Sequence, residues 1–222
     1  MIQVVPAILP ESFDDIAAKV ARVRGLVARV QIDITDGSYA PTHTWPFTSA
    51  AHFSDLVSQD EGMPLWEEID YEVDMLVRKP ERYIEEWMSI GISAAIIHIE
   101  STDVFADISK KLRDRGVECG AGILPSTDIL KLESLIEHID FIQCMGSDAI
   151  GKHGVSLDER VYDKVRDLRA KYPDMPIAVD IGVNEETAPG LVEAGATKLV
   201  SGSAIFGSAN PKETITALEN LA

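Results

Sequence analysis

A single (β/α)8 barrel of the α/β class, a TIM barrel, is the fold this sequence predicts, and three observations predict it. Apolar strand-like runs alternate eight times with amphipathic or helix-capped segments. Strict alternation implies parallel strands, because joining parallel strands takes a crossover, usually a helix. The 222 residues suit one such barrel, a class that runs to roughly 200–250 residues. No linker, low-complexity tract or second domain interrupts the pattern, so residues 1–222 are expected to form one domain. An open doubly wound sheet would need a glycine fingerprint after its first strand, where this chain reads Ile8-Leu9-Pro10-Glu11.

In order, residues 2–9 read as the first strand, and 12–25 as a helix with apolar Ile16, Val20, Val23 and Leu26. Residues 28–34 are the second strand. A loop over 36–48 follows, carrying Tyr39, Pro41, His43 and Trp45, with His43 and Trp45 expected to pack at the surface. A short helix over 50–59 precedes the third strand near 68–75. Lys79-Pro80 opens the next helix with proline in its first turn, and Tyr83 and Trp87 have the spacing of one helix face. Residues 94–99 form the fourth strand, and Gly116 stops the helix over 102–115. Residues 117–124 are the fifth strand, after which Ser126-Thr127-Asp128 caps a further helix. Phe141–Met145 is the sixth strand, leading to a loop with Gly146, Gly151 and Gly154. Residues 157–172 are helical, 176–180 the seventh strand, 185–194 helical, Lys198–Ser201 the eighth strand, and 211–221 the last helix.

Hydrophobic residues make up 45% of the chain and charged ones 26%, the balance of a soluble globular protein. No apolar run approaches the roughly 20 residues of a membrane span. The opening residues lack the basic flank of a signal peptide. Cys119 and Cys144 stand far apart in apolar surroundings, as buried free thiols of a reducing cytoplasm would. With 37 acidic against 20 basic residues the net charge is −17, which argues against a nucleic-acid partner. A phosphate would have to be held locally, by backbone N–H groups.

In such a barrel the chemistry sits at the C-terminal ends of the strands. Polar residues concentrate there: Gln31 and Asp33, Glu72 and Asp74, His98 and Glu100, Gln143 beside Met145, and Asp180. Within each strand the spacing is two, which puts both members on one face. Carboxylates and an imidazole sharing one desolvated mouth perturb one another's pKa values, as acid–base sites require. Two loops suit a phosphate. Asp180-Ile181-Gly182-Val183-Asn184 follows the seventh strand, and Ser201-Gly202-Ser203-Ala204-Ile205-Phe206-Gly207 follows the eighth.

The ordered set Val5-Pro6-Ala7-Ile8-Leu9, Asp33-Ile34-Thr35-Asp36-Gly37, Lys79-Pro80-Glu81-Arg82-Tyr83-Ile84, His98-Ile99-Glu100, Val179-Asp180-Ile181-Gly182-Val183-Asn184 and Gly202-Ser203-Ala204-Ile205-Phe206 resembles the ribulose-phosphate 3-epimerase family nearly end to end. The resemblance implies a barrel of the ribulose-phosphate-binding type, and an isomerase acting at C3 of a ketose phosphate such as ribulose 5-phosphate or xylulose 5-phosphate. One aspartate takes the proton from one face and another returns it on the opposite face, with a metal holding the enediolate oxygens. Asp33 and Asp180 stand at those two positions. Met145, Gly182, Val183, Gly202 and Ser203 are the expected substrate contacts, together with Lys152 and His153 from the sixth loop. No nucleotide cofactor or membrane is expected; a homo-oligomer is.

The chain departs from the family pattern in ways that bear on the metal. Gln31 and Asp74 stand where the family has histidines, Ala7 replaces a serine, Thr35 and Leu76 replace methionines, and Ile181 replaces the first glycine of an Asp-Gly-Gly run. Residues 149–154 replace the family's Pro-Gly-Phe-Gly-Gly loop. The metal ligands then become Gln31, Asp33, Asp74 and Asp180, an all-oxygen set that suits Mg²⁺ or Mn²⁺ better than Zn²⁺. The alternative is no metal, with Lys152 or His153 supplying positive charge. Two other functions remain open: a decarboxylase or aldolase of the same barrel type, and a catalytically silent sugar-phosphate-binding barrel. The decarboxylase group carries Asp-x-Lys-x-x-Asp at the third strand, where this chain reads Glu72-Val73-Asp74-Met75-Leu76-Val77.

Overall fold

Eight parallel strands pair in chain order and close on themselves, β1 (Gln3–Ile8), β2 (Arg29–Thr35), β3 (Asp70–Leu76), β4 (Ala94–His98), β5 (Glu118–Ile123), β6 (Phe141–Met145), β7 (Ile177–Asp180) and β8 (Lys198–Ser201). The computed structural model describes residues 2–50 and 52–221. Met1 and Ala222, at the ends of the expected domain, and Ala51, in the expected second helix, lie outside them. Around the barrel run α1 (Phe13–Val23), α2 (Phe53–Ser58), α3 (Ile84–Ser89), α4 (Phe105–Asp114), α5 (Arg160–Lys171), α6 (Ala188–Ala194), the single turn α7 (Ser203–Phe206) and α8 (Pro211–Glu219). The barrel read from the sequence is the fold observed. Among the described residues no helix is long and apolar enough to cross a membrane.

The strands are buried on both faces, as parallel strands under helices must be. Their outward residues, such as Ile32, Ile34, Val73, Met75 and Ile97, join the main core with the helices. In α1, Ser12 accepts from the Asp15 N–H to cap the helix, and Ile16, Val20 and Val23 face that core. Inside the barrel a smaller apolar layer of Val5, Ala7, Ala94, Ile96, Phe141, Ala178 and Val200 separates a polar mouth from a charged floor.

That floor corrects one expectation. Glu72 is not at the mouth: it lies four residues before the end of β3 and meets Lys198 at 2.5 Å and Arg29 at 3.5 Å. Strand direction explains the outcome, since Asp74 is one inward step nearer the C-terminal end than Glu72.

Two other departures are local. The crossover from β5 to β6 contains 3₁₀ turns over Ile129–Leu132 and Ile136–His138, in place of the expected helix. Asp128 does cap, accepting from the Leu130 N–H at 2.9 Å. The short segment must also descend the height of the barrel, and a 3₁₀ turn rises about 2.0 Å per residue against about 1.5 Å for an α-helix. Trp45, expected at the surface, is buried among Phe13, Phe53 and Trp87, with ring centroids 5.4–6.1 Å away. A large aromatic ring contributes most when covered, and the loop after β2 folds down to cover it.

Candidate active site

The pairing register builds the site. β2 and β3 run in step, so Asp33 stands opposite Asp74, while β6 and β7 set Met145 opposite Asp180. Barrel closure then brings oxygens of Asp33, Asp74 and Asp180 within 4.8 Å of one another. Asp74 is fully buried, Asp180 nearly so, and Asp33 partly covered.

Each acid has its own donors. The Gln31 amide nitrogen donates to Asp33 Oδ1 at 2.8 Å and to Asp180 Oδ2 at 3.1 Å. The Ile181 backbone N–H donates to Asp180 Oδ1 at 2.7 Å. Asp74 Oδ1 lies 2.9 Å from His98 Nε2, and its Oδ2 accepts from the Gln143 amide at 3.1 Å. Among the described residues, three buried polar atoms of this cluster have no hydrogen-bond partner: Gln31 Oε1, Gln143 Oε1 and His98 Nδ1.

Burial and mutual repulsion set the electrostatics. Loss of hydration, then the charges of Asp180 and Asp74, holds Asp33 well above the usual carboxylate range. Asp180 is pushed up to about 7, by burial first and then by the Asp74 charge, against the Ile181 and Gln31 hydrogen bonds. Burial alone would lower His98, but the Asp74 carboxylate, together with the charges of Glu100 and Asp180, outweighs it and the imidazole is raised. Two carboxyls raised by burial and by neighbouring acidic charge in one site can serve as proton donor and acceptor to one substrate.

A metal fits this donor set. Three carboxylates converge, and Gln31, whose Oε1 has no partner among the described residues, would bring that oxygen to them if its amide turned over. Oxygen donors of this kind match a hard divalent cation.

The acids open onto a cavity of about 50 Å³ lined by Asp33, Asp180, Met145 and both phosphate-type loops. Gly182, Val183, Gly202 and Ser203 all face it, and Lys152 and His153 reach it from the loop after β6. Gly182 has φ 73°, and a Cβ there would lie 2.4 Å from the Leu157 nitrogen, so only glycine fits. Ser201 ties the two loops together by donating to the Val183 carbonyl at 2.8 Å.

Among the polar residues read from the sequence, Asp33, Asp74, Asp180, Gln31, Gln143 and His98 come together. Glu100 does not: it anchors loops, accepting from the Tyr39 hydroxyl and the Leu124 N–H at 3.1 Å, and from Thr127. Sequence alone does not assign Gln143 and His98 the role of holding Asp74. Their alternation with Cys144 and Ile97, which join the outer core, signals only that they face inward.

The comparisons with known proteins agree with this geometry. The family model described as Ribulose-phosphate 3 epimerase family matches residues 3–206. The ribulose-phosphate 3-epimerase of Schizosaccharomyces pombe is 27% identical over 98% of this chain and 92% of its own length. The cytoplasmic isoform from Oryza sativa is 29% identical over 97% of this chain and 92% of its own length. Among solved structures, 3-hexulose-6-phosphate synthase from Salmonella typhimurium superposes with a TM-score of 0.72 at 14% identity, over 99% of this chain and 97% of that one, a likeness of fold. With the family match spanning nearly the whole barrel, this chain belongs to the ribulose-phosphate 3-epimerase family.

Proposed function

We propose that this protein is an isomerase that inverts C3 of a ketose phosphate, with ribulose 5-phosphate and xylulose 5-phosphate the first substrates to test. The observation that carries the reading is the position of Asp33 and Asp180, on strands from different sides of the barrel, beside a cavity that both phosphate-type loops line. The substrate phosphate is assigned to Gly182, Val183, Gly202 and Ser203, whose backbone N–H groups suit an anion in a strongly acidic protein. Lys152 adds positive charge at the rim, where His153 also lines the cavity.

One aspartate, as carboxylate, removes the C3 proton, and the other, as carboxylic acid, returns a proton to the opposite face of the enediolate. Asp180, pushed up to about 7, suits proton transfer near neutral pH, and burial raises Asp33 beside it. Gln31 steadies both carboxyls, and Asp74 completes the acidic cluster. Gln31, Asp33, Asp74 and Asp180 would hold Mg²⁺ or Mn²⁺, which supplies Lewis-acid stabilisation of developing negative charge. A decarboxylase of the Asp-x-Lys-x-x-Asp type is disfavoured, because β3 carries no lysine. Two buried free thiols support a cytoplasmic location.

The test follows solvent deuterium into C3 of ribulose 5-phosphate, with chelator and with added Mg²⁺, Mn²⁺ or Zn²⁺. Incorporation that Asp33→Asn or Asp180→Asn abolishes is the expected result. Phosphate-dependent binding with no incorporation under any condition would instead point to the silent barrel.

A further inference from the structure

Ile181 holds a backbone conformation that β-branched residues rarely adopt, with φ at 76°. The left-handed turn brings the Ile181 N–H onto Asp180 Oδ1 at 2.7 Å. It also sends the side chain into an apolar cluster with Ala40, Leu76, Met145 and Ile150. Leu76, Met145 and Ile181 line the same cavity as Asp33 and Asp180. The cluster draws on the ends of β3 and β6 and the loops after β2 and β6, and Ile181 joins it from the first position of the loop after β7.

The turn cannot easily relax. Its carbonyl oxygen fills the space above Gly146, where a Cβ would come within 1.9 Å of it. The Gly146 N–H in turn donates to the Asp180 carbonyl. A glycine would make the same turn without the steric cost, and would keep the N–H that holds Asp180. What isoleucine adds is its side chain, placed against the cavity.

We propose that Ile181 is a specificity-determining residue: its side chain is the wall against which the carbon frame of a ketose phosphate packs beside Asp180, away from the phosphate. This rests on the ketose-phosphate reading above. Phosphate is assigned to the backbone N–H groups of Gly182, Val183, Gly202 and Ser203, whereas the Ile181 side chain packs with Ala40, Leu76, Met145 and Ile150. Removing the side chain therefore weakens binding of the sugar phosphate and leaves inorganic phosphate untouched.

Ile181→Ala and Ile181→Gly separate the wall from the strain. Alanine removes the wall and keeps the left-handed cost; glycine removes both. Calorimetric titration with ribulose 5-phosphate is expected to show about tenfold weaker binding in both variants, a loss typical of a missing apolar contact. KM should rise by the same factor, and inorganic phosphate should bind both variants as it binds the parent. The glycine variant should melt about 2–4 °C above the alanine one. Sugar-phosphate affinity within twofold of the parent in both variants would overturn the proposal, and so would equal weakening for inorganic phosphate. A glycine variant melting no higher than the alanine one would overturn the strained turn. A parent that binds ribulose 5-phosphate without turning it over would sink the epimerase reading, while the titrations would still decide the role of Ile181. A parent that binds neither probe would sink both.

Discussion

Gln31 and Asp180 are 149 residues apart in sequence, yet the Gln31 amide nitrogen lies 3.1 Å from Asp180 Oδ2. The same nitrogen reaches Asp33 Oδ1 at 2.8 Å, so one amide stands between the buried Asp180 and the partly covered Asp33. Turned over, it presents Oε1 to them, an arrangement that only a cation or a protonated carboxyl can satisfy. The chelator-stripped protein is therefore expected to bind Mn²⁺ or Mg²⁺ through oxygen donors. Gln31→His combined with Asp74→His exchanges two oxygens for imidazoles and should favour Zn²⁺ by at least about tenfold. Titration calorimetry with each ion measures this, and an unchanged order of affinities would remove Gln31 and Asp74 from the metal site.

Asp74 is aimed by two side chains, each holding one of its oxygens. Gln143→Leu keeps the volume and removes one donor, leaving Asp74 Oδ2 without its buried partner. The expected cost is about 1–3 kcal/mol of stability, read from the urea midpoint. Loss of such outer support should also weaken divalent-metal binding by about 10–100-fold. A variant that keeps its midpoint and metal affinity would show that His98 alone orients the carboxylate.

Both thiols are shielded. Burial pushes Cys119 and Cys144 up to about 12. At pH 8 a thiol of that kind is ionised in only about one molecule in 10⁴. The native protein should therefore leave a chromogenic disulfide reagent unreacted over the time in which the urea-unfolded chain releases two equivalents. Prompt reaction of either cysteine in the native protein would mean that its strand opens locally.

Much of this architecture is legible in the sequence, because strand alternation and the spacing of Gln31 from Asp33 follow from local geometry. β6 and β8 begin and end where the apolar runs do, at Phe141–Met145 and Lys198–Ser201. What sequence does not display is depth along the barrel. Glu72 and Asp74 look equivalent at a spacing of two, yet one reaches the floor and the other the mouth. That difference depends on register with β2 and on the far partner Lys198, which is 126 residues away from Glu72. The burial of Trp45 is likewise tertiary, since Phe13 and Trp87 come from separate helices. The positive φ of Ile181 has no local signal in a β-branched residue, and only the fixed carbonyls around Gly146 reveal it.

The floor pair offers a stability test away from the acidic cluster at the mouth. Lys198 Nζ meets Glu72 Oε2 at 2.5 Å with both side chains buried, and lies 4.4 Å from the centre of the Phe141 ring. Lys198→Met would leave the Glu72 carboxylate with only Arg29, 3.5 Å away, and should cost about 3–5 kcal/mol. Adding Glu72→Leu removes the stranded charge, so the double variant should regain most of that loss. The pH dependence has a definite sign. Burial lowers the Lys198 pKa despite the Glu72 charge. Between that lowered value and the unfolded value of about 10.4, the unfolded chain holds a proton the native chain has released. Stability from this group therefore rises as pH climbs through that window, and its cost is constant below it. Melting temperatures of the parent relative to the double variant, taken from pH 7 to 10.5, should show that relative rise. A flat or falling difference would mean that Lys198 keeps its proton at the floor through the pairing with Glu72.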